Sequence, residues 1–218
     1  MDKLHKYINN YKYISHYPKY IIKKYIKTYP NNYFEIGYIY EYYYINCDKM
    51  KKYYMLAINS GNSNAMYFLG TYYGFIKKEY DYMKAYLIAA MELGNLNAII
   101  QLGNYYHNEQ DYKLMHKYYN MIIEDSRVMY SLGHYYQHIE VKYGLMKKYY
   151  KMTIKLESIK LYSNYIRPHS MNNLAYYNAH IKKNYKLMKK YYIMAIKLNF
   201  NLSIKNICIH YKTDFAMI

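Results

Sequence analysis

Met50-Lys51-Lys52-Tyr53-Tyr54 is the stretch on which the fold turns, because the chain writes it repeatedly. It returns as Met83-Lys84-Ala85-Tyr86, Met115-His116-Lys117-Tyr118-Tyr119, Met146-Lys147-Lys148-Tyr149-Tyr150 and Met188-Lys189-Lys190-Tyr191-Tyr192. Successive methionines are 33, 32, 31 and 42 residues apart, so an insertion lies in the last interval. A second landmark keeps step: Leu69-Gly70-x-x-Tyr73, Leu102-Gly103-x-x-Tyr106 and Leu132-Gly133-x-x-Tyr136, with weaker forms at Ile36-Gly37-x-x-Tyr40, Leu174-Ala175 and Ile207-Cys208-x-x-Tyr211. From this landmark to the next methionine is 14 residues in four cases and 13 in one, 102 to 115. Two landmarks in constant phase over such a period mark a repeat architecture.

Each unit reads as a pair of helices. Helix A carries Leu-Gly-x-x-Tyr, with apolar positions at helical spacing. A glycine in mid-helix costs about 1 kcal/mol relative to alanine, so its recurrence calls for close approach of the paired helix. Ala175 and Cys208, which replace it, are also small. Helix B is expected to start at Asp48, Asp81, Asp111 or Asn184, whose side chains can accept from first-turn amides. Gly61 and Gly94 are placed to end two B helices in the left-handed conformation.

The resulting map puts A helices near 31–44, 64–77, 97–108, 127–139, 171–181 and 202–211. The B helices fall near 49–60, 82–93, 112–124, 144–160 and 185–198. Short connections make paired helices antiparallel. Residues 1–30 form an N-terminal capping region, with a short helix over Lys19–Tyr29 bracketed by Pro18 and Pro30. Residues 31–211 form the repeat array, about five hairpins plus a final helix, and 212–218 a tail. Within the insertion near 158–169, Arg167-Pro168 is expected to end a helix and leave an irregular linker. A hairpin of this size cannot bury its apolar faces alone, whereas stacked hairpins share a continuous core and expose a long concave surface.

Composition limits the function classes. Of 218 residues, 40 are Tyr, none Trp and 5 Phe, so tyrosine is the main bulky core former and each buried ring must place its hydroxyl. The formal net charge of +17 favours acidic partners, nucleic acid or anionic surfaces, although Tyr, Ile, Asn and Lys all have AT-rich codons. Cys47 and Cys208 stand alone in sequence, which fits neither a disulfide framework nor a thiolate metal site and suits a reducing compartment. Met1-Asp2-Lys3-Leu4-His5-Lys6 precedes no apolar run, and no stretch approaches a membrane span, so a soluble intracellular protein is expected.

The run Ala85-Tyr86-x-x-Ala89-Ala90-x-x-x-Gly94-x-x-x-Ala98-x-x-x-Leu102-Gly103 resembles the Sel1-like repeat, a relative of the tetratricopeptide repeat. The Tyr- and Asn-rich style with Met-Lys-Lys-Tyr-Tyr is similar to repeat proteins of giant DNA viruses, which would place it in host cytoplasm. The resemblance covers roughly residues 31–211. It implies an all-α, right-handed solenoid of antiparallel hairpins and an adaptor or scaffold that binds a protein partner. Departures are Met for the first alanine of helix B and loss of the glycine turn at Glu124-Asp125-Ser126-Arg127. Carried over by position, partner contacts along the A helices would be Phe34, Tyr38 and Glu41, then Tyr67 and Thr71, then Ile100, Asn104 and His107. Tyr130, His134 and Gln137 follow in the fourth unit, and Asn172 and Tyr176 in the fifth.

The rival reading is RNA or DNA binding. Lys51, Lys52, Lys84, Lys117, Lys147, Lys148, Lys189 and Lys190 recur at equivalent helix-B positions as a basic ridge, with tyrosines to stack on bases. Against it, Arg is confined to Arg127 and Arg167, and outward lysine is the ordinary partner of a buried stripe. His134 and His138 have the four-residue spacing of a metal pair, but the residues between them are Tyr135, Tyr136 and Gln137, with no catalytic carboxylate. No metal or cofactor is expected. No nucleophile motif or phosphate loop occurs, so an enzyme is not expected.

Overall fold

The computed structural model describes residues 18–159 and 166–215. These residues are all-α, and every helix but the first and the last pairs into a hairpin as the repeat requires. Helix α1 (Lys19–Thr28) precedes three hairpins: α2 (Tyr33–Tyr42) with α3 (Cys47–Asn59), α4 (Ser63–Tyr72) with α5 (Tyr80–Glu92), and α6 (Leu96–Asn108) with α7 (Tyr112–Asn120). The chain divides after Met121 into two compact units. The second unit holds α8 (Ser126–His138) with α9 (Tyr143–Ile159), α10 (Ile166–His180) with α11 (Tyr185–Ile196), and α12 (Asn201–Phe215) packed on α11. The described residues thus form an all-α solenoid of hairpins. Residues 1–17 of the expected capping region and 216–218 of the expected tail lie outside the described residues.

The repeat landmarks are the core. Met50, Met83, Met115, Met146 and Met188 are all buried, as are Ile36, Leu69, Leu102, Leu132 and Leu174. The helix-A small residue faces a large helix-B side chain in every hairpin. A Cβ added at Gly37 would stand 2.5 Å from the Tyr54 ring, and one at Gly133 2.6 Å from Tyr150. The Gly103 position closes on Tyr119 in the same way, and Ala175 packs with Tyr192. Gly70 differs, because the facing residue is Leu87 at 3.2 Å. Burying each of these rings removes a large apolar area from water and so stabilises the hairpin.

A second contact repeats with equal fidelity. The landmark tyrosine of helix A lies face to face with the helix-B tyrosine three residues after the methionine: Tyr40 on Tyr53, Tyr73 on Tyr86, Tyr106 on Tyr118 and Tyr136 on Tyr149. Their centroids are 5.5–5.6 Å apart and the planes within 9° of parallel. In the fifth hairpin the landmark position is Asn178, whose amide donates to the Leu174 carbonyl instead.

The turns explain the helix ends. Gly61 (φ 77°) and Gly94 (φ 79°) occupy the left-handed position after α3 and α5, as their spacing predicts. Asn62 and Asn95 then cap α4 and α6 through their side chains. Between A and B the left-handed residue is never glycine: it is Ile45, Lys78, Gln110, Val141 and Lys183, each five positions before its methionine. The next amide closes the turn by donating to the landmark carbonyl, as in Asn46 to Tyr40 and Glu79 to Tyr73.

Several boundaries are corrected. The caps of α3 and α5 are Asn46 and Glu79, so Asp48 and Asp81 sit inside the first turn and pair with Lys51 and Lys84 at 3.8 and 2.9 Å. Asp111 and Asn184 do cap, accepting from Leu114 and Leu187 at 3.0 Å. Helix α4 ends in a π-helical turn, Tyr73–Lys77, where an α-helix to 77 is expected. Helix α7 stops at Asn120, not 124. Pro168 does not break a helix: it lies in the first turn of α10, where its missing N–H has no helical acceptor to lose. Residues 160–165 of the insertion lie outside the described residues.

Candidate functional site

The candidate positions on the A helices sort by their angle around the helix. Residues three before or four after the small residue share its face, and that face is turned to helix B. Hence Phe34, Ile100 and Asn172 are buried, and Tyr67 and Tyr130 are half-buried. Asn172 accepts from Ser203 and Asn206 at 3.1 and 3.0 Å and so ties α10 to α12. Tyr38 is also buried, because α1 lays Ile22 and Tyr25 across it. Tyr38, Ile100 and Asn172 are therefore packing residues and are withdrawn from the surface set.

Three other polar candidates are committed to tyrosine hydroxyls. Tyr54 donates to Glu41 Oε2 at 2.5 Å, Tyr119 to Asn104 Oδ1 at 2.6 Å, and Tyr150 to Gln137 Oε1 at 2.8 Å. A large ring buried against glycine brings its hydroxyl back to the A helix, and the chain supplies an acceptor there. These residues keep partly exposed edges, but their first role is internal. The Thr71 hydroxyl donates to the Phe68 carbonyl at 2.8 Å.

What remains open to solvent is an aromatic and imidazole set one position after the small residue. His134 and Tyr176 are exposed. Their rings lie over the residue one turn later: His134 on His138 at 4.4 Å, and Tyr176 on His180 at 4.2 Å. His107 is half-buried, edge-on to Tyr112. Among the described residues no three His, Cys, Asp or Glu side chains converge to hold a metal ion.

The basic positions do not behave as one set. Lys51 and Lys84 are half-buried and paired with exposed aspartates, and the Asp81 hydrogen bond raises the Lys84 ammonium above its ordinary value. Lys117 and Lys148 lie over Tyr118 and Tyr149, and Lys147 over Tyr177, at 5.6–5.9 Å. Lys52, Lys189 and Lys190 extend from exposed positions.

The first unit also contains a cavity of about 420 Å³ whose lining the landmarks reveal only in part. It opens between the C-terminal end of α2, the turn into α3, and the π-helical end of α4. Its walls include Tyr42, Ile45, Tyr72, Phe75 and Ile76, with Glu41 as the charged group. Burial pushes the Glu41 carboxyl up from its ordinary value, while hydrogen bonds from Tyr54 and Tyr42 act in the opposite sense. Of the lining residues, Met50 is a landmark and Glu41 and Thr71 follow from positions beside one. The signal that could have found the others is apolar residues where turn residues belong: Ile45 is 81% exposed, Ile76 68% and Phe75 57%.

Comparison with known proteins agrees on the fold. The structure is similar to the crystal structure of a Sel1 repeat protein from Oxalobacter formigenes, with a TM-score of 0.59 and 20% sequence identity over 78% of this chain and 74% of that one. No family model matches the sequence, and no curated protein matches it. No described helix is long and apolar enough to cross a membrane.

Proposed function

We propose that the chain is a non-catalytic scaffold that holds a protein partner against the exposed side of its A helices. The observation that carries this reading is the division of labour within each hairpin. Methionine, glycine, leucine and paired tyrosines are consumed by packing, while His134, Tyr176, Tyr67 and the apolar turn residues Ile45, Phe75 and Ile76 are left at or near the surface. Exposed aromatic and aliphatic side chains grouped beside polar ones are the composition of protein interfaces. The likeness of fold to a Sel1 repeat protein supports the same reading.

Nucleic-acid binding needs tyrosine faces for bases, and here the landmark tyrosines are stacked on one another. Several ridge lysines are likewise engaged by aspartate or by tyrosine rings. The resemblance to proteins of giant DNA viruses remains a proposal about source, with a location in host cytoplasm following from it.

The test is affinity capture from the native cell with wild-type protein and a His134→Ala/Tyr176→Ala double variant. A defined protein that co-purifies with the wild type and is depleted at least tenfold by the variant supports the scaffold. Retention of short RNA or DNA, with affinity falling steeply as salt rises, would move the assignment to nucleic acid.

A further inference from the structure

The cavity at the end of the first two A helices has a chemistry at odds with the rest of the protein. The chain carries 31 Lys and Arg against 14 Asp and Glu, yet this lining contains a carboxylate and no cationic side chain. Three aromatic rings, Tyr42, Tyr72 and Phe75, share the wall with it. A carboxylate among aromatic faces and aliphatic side chains suits a cation with an apolar stem, by direct charge attraction and by the negative faces of the rings. At about 420 Å³ the space falls in the range of ligand pockets and has room for flanking atoms as well.

Two further observations point the same way. Ile45 holds a left-handed backbone (φ 50°) with its side chain 81% exposed. A β-branched residue is costly there and burial gives nothing in return; Val141 shares both features at the equivalent turn, so what sets Ile45 apart is its place on the wall of this cavity. Beside this cavity, sharing Asn46 as a wall, lies a second one of about 460 Å³ lined by Lys23, Lys27 and Lys49. The two together present a negatively charged apolar site next to a positively charged one.

We propose that the Glu41 cavity receives a lysine side chain of a partner polypeptide, with acidic residues beside that lysine meeting Lys23, Lys27 and Lys49. This rests on the scaffold reading and names the partner's chemistry. The four-carbon stem lies against Ile45, Phe75 and Ile76, and the ammonium meets the Glu41 carboxylate and the ring faces. The adjacent opposite charges fix the direction of the bound segment.

The probe is an acetylated, amidated peptide Glu-Glu-Leu-Lys-Leu-Glu-Glu, titrated into the full chain by fluorescence anisotropy. The expected result is saturable binding, about tenfold weaker when norleucine replaces the lysine. Glu41→Gln, which still accepts from the Tyr54 hydroxyl and is checked for an unchanged melting temperature, should erase that preference. Lys23→Gln/Lys27→Gln should weaken binding and flatten its salt dependence. Equal binding of the norleucine peptide, an unchanged preference in Glu41→Gln, no saturation at millimolar peptide, or displacement by short single-stranded RNA would each overturn the assignment. A native partner captured equally by wild type and Glu41→Gln would leave the scaffold standing and remove the cavity from it.

Discussion

Tyr150 shows how one residue links repeat, core and surface. Its ring fills the space left by Gly133, its hydroxyl donates to Gln137, and that hydroxyl accepts from Asn173 Nδ2 at 2.9 Å. Tyr150→Phe keeps the ring but strands two amide groups, so it should cost about 1–3 kcal/mol in a denaturant titration. Tyr192 occupies the same repeat position, but the residue equivalent to Gln137 is the buried Ala179, which offers no side-chain acceptor. Tyr192→Phe should therefore be much milder; equal losses would refute the role given to Gln137 and Asn173. The facing glycines give a second contrast. Gly133→Ala must displace the Tyr150 ring and should destabilise by about 1–3 kcal/mol through overpacking. At Gly70 the neighbours are Leu87 Cγ and Tyr86 Cβ, both at 3.2 Å, and a helix-propensity gain of about 1 kcal/mol offsets a smaller clash than at Gly133. Gly70→Ala should leave the melting temperature nearly unchanged.

At the scale of the element, the A-to-B turn is the least orthodox part of the hairpin. Five left-handed residues recur in constant phase, and none is glycine. Relief of the left-handed cost, less the extra flexibility of an unfolded glycine, predicts that Ile45→Gly stabilises by about 0.5–1 kcal/mol. No packing is lost, since the side chain is mostly in solvent. The same variant should bind the lysine peptide more weakly, so stability and affinity move in opposite directions. A loss of stability on thermal melting would show that Ile45 supports the turn instead. The turn also explains the 13-residue interval in the third unit: Asp111 closes on Tyr106 five residues back, while Asn46, Glu79 and Asn184 each close over six. Counting intervals reveals that a residue is missing, but the backbone hydrogen bonds show where.

For the whole molecule, the buried tyrosines couple folding to alkali. Burial raises the Tyr54 and Tyr150 hydroxyls well above 10, and pushes Tyr192 up to about 12. The folded state thus holds these groups protonated where the unfolded chain releases protons. Their contribution is complete below pH 10 and declines as pH rises through the folded values. Near-ultraviolet absorbance should show the exposed tyrosines ionising first and the buried set ionising only as far-ultraviolet helix signal is lost, around pH 12. A single tyrosine transition near pH 10 with full helix retained would contradict the burial. The sequence by itself determined the period, the paired helices, the buried methionines and leucines, and the need for a small residue in mid-helix. These follow from residue types at separations of three, four and about thirty-three, which the helix and the stack impose directly. It could not decide which polar landmarks were free, because that depends on where a ring from the opposite helix brings its hydroxyl. Only the tertiary structure gave Glu41, Asn104 and Gln137 to tyrosines, buried Tyr38 under α1, and set Ile45, Phe75 and Ile76 around one carboxylate. Those outcomes rest on turn dihedrals and neighbouring helices, which no local spacing records.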